Sequence, residues 1–137
     1  MMTQFINNFF QTSFLTTLWV MLLITLTNFH TTISFHYVWN IVAIGVLAGI
    51  TFGIIYPYVW NYSTTKAAVN IVICTTVNLS MQFLVIYLFS KEMLAVIQPY
   101  MIGIAVLTLI GHLIAFYFYK RILNKKIVDE LNQLKIQ

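Results

Sequence analysis

Three histidines, three carboxylates and one thiol are all the imidazole, carboxylate and thiol side chains in this 137-residue chain. They are His30, His36 and His112; Glu92, Asp129 and Glu130; and Cys74. His30 and His36 flank a short loop, but two imidazoles without a carboxylate or thiolate make a poor metal site. Asp129 and Glu130 follow Lys125 and Lys126 by four residues, the spacing of helix-surface pairs worth a few tenths of a kcal/mol, and read as a solvated face. A single cysteine has no partner for an intrachain disulfide. No glycine-rich phosphate loop, paired carboxylates or nucleophile with an adjacent base occurs. No enzyme activity, cofactor or metal is expected.

What remains is polar chemistry placed where polar groups are costly. Asn70, Cys74, Asn78 and Gln82 recur at spacing four within an apolar stretch and form a slowly drifting stripe. Amides in hydrocarbon must find partners, so the stripe should face other helices, either as a polar path or ligand site or as interhelical glue. Asn78, near mid-span, is expected to pair with His112 or a threonine of the first span. His112, beside Gly111 and Ala115, is the one ionisable side chain well inside an apolar stretch; a functional and a structural role are both open. Gly45, Gly49 and Gly53 double the small-xxx-small pattern that lets a second backbone approach closely. That groove could receive a helix of the same chain or of a second copy.

The elements that position these residues are four apolar stretches. The chain is 61% hydrophobic and 7% charged, against about 25% charged in a soluble domain. A spanning helix needs roughly 20 apolar residues, which predicts spans over 9–29, 38–60, 68–89 and 94–119. Pro57 is expected to kink or end the second, and Pro99 to sit in the first turn of the fourth. Loops are expected over His30–Tyr37 and Ser90–Leu94. Threonines in the first span can bond back to the carbonyl a turn earlier. The predicted fold class is all-α, an integral membrane four-helix bundle (1–119) with a basic amphipathic tail (120–137). Orientation follows from Lys66, Lys120, Arg121, Lys125, Lys126 and Lys135 on one side against Lys91 on the other, which predicts both termini in the cytoplasm of a multi-pass cell-membrane protein.

In the tail, Leu123, Ile127, Leu131 and Leu134 form an apolar stripe that is too short to be a stable helix alone in water. It needs a membrane surface, a neighbouring subunit or another protein. Lys120, Arg121, Lys125 and Lys126 suit anionic lipid headgroups at about 1 kcal/mol each. They lie along no face that could track phosphates, so direct nucleic-acid binding is not expected. The expected partners are the bilayer, a cytoplasmic or membrane protein, and a second copy of the chain.

The order of features resembles a known family. Gly45-Val46-Leu47-Ala48-Gly49-Ile50-Thr51-Phe52-Gly53-Ile54-Ile55 leads through an aromatic exit and a Lys66-bearing loop to the third span. The chain then closes with Phe116-Tyr117-Phe118-Tyr119-Lys120-Arg121, followed by Lys125-Lys126-Ile127 and Leu131-Asn132-Gln133-Leu134-Lys135. This resembles the small four-span bacterial proteins grouped as domain of unknown function 3021, often encoded beside LytTR-type transcription regulators. Where that family carries a tryptophan near the outer end of the third span, this chain has Tyr87, Leu88 and Phe89. The resemblance implies a membrane-bound inhibitor of such a regulator and supplies no catalytic residues. The alternative function is a small transporter, translocase or permeability subunit working as an oligomer.

Overall fold

The computed structural model describes residues 2–27 and 32–135, except for the side chains of residues 130 and 132–135. His30, residues 28–29 of the first predicted span, and the Leu134 side chain lie outside these described residues. The helices are α1 (Met2–Thr27), α2 (Phe35–Ala48), a π-helical segment (Gly49–Ile55), α3 (Tyr56–Asn61), α4 (Ala67–Phe89), α5 (Lys91–Ile97), a 3₁₀ turn (Gln98–Tyr100) and α6 (Met101–Lys135). Grouped into continuous runs they make an all-α fold with four helices long and apolar enough to cross a membrane: Met2–Thr27, Phe35–Asn61, Ala67–Phe89 and Lys91–Asp129.

Several boundaries differ from the sequence-based expectation, each for a local reason. The first helix begins at Met2 rather than Phe9, because Gln4, Asn7 and Asn8 lower hydropathy without breaking a helix. His36 and Tyr37 belong to α2 and not to a loop. The expected Ser90–Leu94 loop shrinks to one residue. Ser90 ends α4 and caps α5, its hydroxyl accepting the Met93 N–H at 3.1 Å and donating to Glu92 at 2.7 Å. The final carbonyls of α4, orphaned at any helix end, are met from α2: the Tyr37 hydroxyl donates to the Phe89 carbonyl at 2.6 Å and Asn40 to the Leu88 carbonyl at 3.0 Å. Pro99 falls in the 3₁₀ turn between α5 and α6, not in the first turn of the fourth span.

Pro57 does not end the second helix, which runs on to Asn61. In a regular helix its ring would strike the carbonyl four residues back. The preceding π segment, in which the Tyr56 N–H reaches the Thr51 carbonyl five residues back, opens the turn there.

The occupant of the seam is α1. All three glycines are buried. A Cβ at Gly53 would stand 2.7 Å from the Phe9 Cα and 2.9 Å from the Asn8 carbonyl carbon, and one at Gly49 would stand 2.9 Å from the Phe9 carbonyl oxygen. Three of the α1 threonines bond back within the helix: Thr17, Thr25 and Thr27 donate to Ser13, Met21 and Leu23 carbonyls at 2.8 Å. On its other side the second helix packs on α4, and α4 packs on α6. The helix carrying the seam is therefore central, with 39% of its apolar window buried against 6% for the first and last. Phe14, Leu15, Trp19, Ile102, Leu107 and Ile114 all present exposed side chains, the apolar flank that a bilayer solvates.

Candidate functional site

Where the second helix meets α4 and α6, the side chains leave a cavity of about 590 Å³ that is broadly open at the surface. One wall is an aromatic ladder at spacing four along the second helix: Phe52 packs edge-on to Tyr56 at 5.1 Å, and Tyr56 stacks on Trp60 at 6.3 Å with the rings 13° apart. Trp60 continues into α6 through Tyr119 at 5.0 Å and Phe116 at 6.1 Å. The other walls come from Asn78 and Gln82 on α4 and from Thr108, Gly111, His112 and Ala115 on α6.

His112 is buried and fully engaged. Its Nδ1 lies 2.8 Å from the Thr108 carbonyl, which only accepts, so Nδ1 carries the proton and Nε2 is an acceptor. The Tyr56 hydroxyl closes on that Nε2 in a short hydrogen bond and donates to it. This ties the second helix to α6, whose closest backbone neighbour is α4. The same phenol lies 3.4 Å from the Cys74 carbonyl, so one tyrosine touches three spans.

The polar stripe of α4 divides by depth. Asn70 is buried at the end nearest the 61–66 loop, accepting from Ser63 at 3.0 Å and from Thr65, and donating to the Val59 carbonyl at 3.3 Å. It ties down the loop. Cys74, almost wholly buried, receives the Trp60 indole N–H at 3.3 Å. Asn78 and Gln82 line the cavity, and Gln82 donates to Asn78 at 3.4 Å. In place of the expected His112 or first-span threonine, Asn78 meets Gln82 of its own helix and the Tyr56 hydroxyl, while Tyr56 takes the imidazole. Thr75, one turn from the cavity, is buried with its hydroxyl unbonded.

Tyr56 and Trp60 are the residues that sequence reasoning missed as site components; they belong to the aromatic exit of the second span. A depth register would have found them. Asn61 and Tyr119 mark one level, joined by a 2.7 Å hydrogen bond. Tyr56 lies five residues inside that level and His112 seven, about 8 and 11 Å respectively.

At the same end α6 continues without interruption past Tyr119 to Lys135, about 24 Å further. The expected tail helix is thus an extension of the last span. Lys120 stands 5.5 Å over the Phe116 ring, and with Arg121 it borders a second groove containing Ile71 and Asn124. Ile127 and Leu131 are exposed, as are Lys125 and Lys126. Among the described residues no group of three or more His, Cys, Asp or Glu side chains is placed to hold a metal ion. Comparison with family models, with curated proteins and with solved structures finds no match.

Proposed function

We propose that this chain is a small membrane regulator that binds and restrains a cytoplasmic protein, such as a LytTR-type transcription regulator, through the extension of α6. The observation carrying this reading is the exposed apolar pair Ile127 and Leu131 on a helix continuous with a membrane span. Four turns of helix held at one end are already ordered, so a partner docking on them incurs little of the ordering cost that a free peptide would. The flanking Lys120, Arg121, Lys125 and Lys126 hold the emerging helix at an anionic leaflet. The six-to-one distribution of basic residues, these four included, favours a cytoplasmic side for both termini.

The test replaces Ile127 and Leu131 together by Asp in the full chain and reads both membrane insertion and expression of the regulator's target gene. Derepression with normal insertion is expected; unchanged expression with normal insertion overturns the reading. A cytoplasm-active reporter fused after Gln137 should be active and a periplasm-active one silent, and the reverse pattern removes the topology on which the reading depends.

The alternative, a transporter, translocase or permeability subunit, is supported by the cavity between α3, α4 and α6. An oligomer would have to supply the charged groups that its lining residues lack.

A further inference from the structure

The cavity floor holds polar capacity that the fold does not use. Gln82 makes one N–H bond, at 3.4 Å long for its kind, and its Oε1 and second N–H have no partner among the described residues. It lies four residues beyond the middle of α4, about 6 Å from the centre of the span. At that depth lipid offers nothing to an amide, and an unsatisfied one is costly. The lining residues include no Asp, Glu, Lys or Arg, so a charged head would enter without a counter-ion. Phe52, Tyr56 and Trp60 present flat aromatic surface beside this floor. The volume falls inside the range of small-molecule sites, about 300–1,000 Å³. On the α6 side the wall is low: around Gly111 no heavy atom lies within 4 Å of where a Cβ would stand, which leaves a way in from the bilayer.

We propose that this cavity binds an uncharged, ring-bearing membrane amphiphile with carbonyl or hydroxyl groups on the ring, the chemistry of an isoprenoid quinone and its quinol. A ring carbonyl accepts from the free N–H of Gln82, a ring hydroxyl donates to its Oε1, and the aromatic ladder covers one face. The carboxamide serves both oxidation states because it is donor and acceptor at once. The inference is independent of what α6 holds outside the membrane.

The test uses the full chain in phosphatidylcholine nanodiscs with Trp19 and Trp39 replaced by Phe, so that Trp60 alone reports. Decyl-ubiquinone and its quinol are titrated separately. Saturable quenching or spectral shift of Trp60 is expected with both. Gly111→Leu, which fills the entry at a position without contacts, and Gln82→Leu, which removes the polar floor, should each weaken it at least tenfold while α-helical content stays unchanged. Dioctanoyl phosphatidic acid should not compete. A linear quench, identical in all variants, would mean simple partition into lipid and overturns the site. Full reversal of the quinone quench by an equimolar amount of dioctanoylglycerol overturns the ring requirement.

Discussion

The glycine seam makes its strongest prediction at Gly53. A methyl group there would meet the Phe9 Cα at 2.7 Å, the Phe9 nitrogen at 2.8 Å and the Asn8 carbonyl carbon at 2.9 Å. Ordinary carbon contacts lie at about 3.5–4.0 Å, so α1 must retreat by about 0.8 Å or more. All three atoms are backbone, and no rotamer change can absorb the shift. Overpacking of this kind costs about 1–3 kcal/mol, or about 5- to 150-fold in the folded population. Glycine to alanine also raises helix propensity by up to about 1 kcal/mol, which would mask part of the effect. Gly111→Ala is the internal reference, because it gains the same propensity and has nothing within 4 Å of the new methyl. The quantity to measure is therefore the difference between Gly53→Ala and Gly111→Ala in a reversible unfolding titration in mixed micelles. Gly53→Ala should be the less stable by about 1–3 kcal/mol. Equal shifts in the two variants would show that α1 does not lie in the seam.

Two further outcomes follow from the hydrogen bonds. Tyr56→Phe and His112→Leu, measured singly and together, should couple by about 0.6–1.7 kcal/mol, the range found for bonds between spanning helices; additivity within about 0.3 kcal/mol would separate the phenol from the imidazole. Thr75→Val should be neutral or slightly stabilising in the same unfolding assay, since the buried Thr75 hydroxyl has no partner to lose; a loss of more than about 1 kcal/mol would require an acceptor that the packing does not provide.

The four spans were legible because hydropathy sums over long windows, and single polar residues scarcely move the total. Their ends were less legible for the same reason. Asn7 and Asn8 depress a hydropathy window, yet Asn8 lies in backbone contact with Gly53, so the first turns of α1 are part of the packing. The glycines were legible as a groove, since absent side chains define one whatever the partner. Which helix fills it depends on how the spans are arranged around one another, and no local pattern encodes that. Asn70 and Cys74 read as members of one stripe with Asn78 and Gln82. Their separation into a loop tie, a cysteine under an indole, and a cavity floor depends on Trp60 arriving from the preceding helix and Ser63 from the loop after it.

The π segment was not legible at all, and the site depends on it. Gly49 and Gly53 must face α1 while Phe52, Tyr56 and Trp60 face the cavity, and a proline must follow within the same helix. A regular α-helix would bring the Pro57 ring against the Gly53 carbonyl. Widening the helix over Gly49–Ile55 relieves that conflict. Such wide turns are rare and cluster at functional sites. Here the wide turn ends directly at Tyr56, the residue that reaches His112, so the irregularity and the cavity are parts of one arrangement. Seam and ladder therefore share one wide turn, with Gly49 and Gly53 against α1 and Tyr56 at its end.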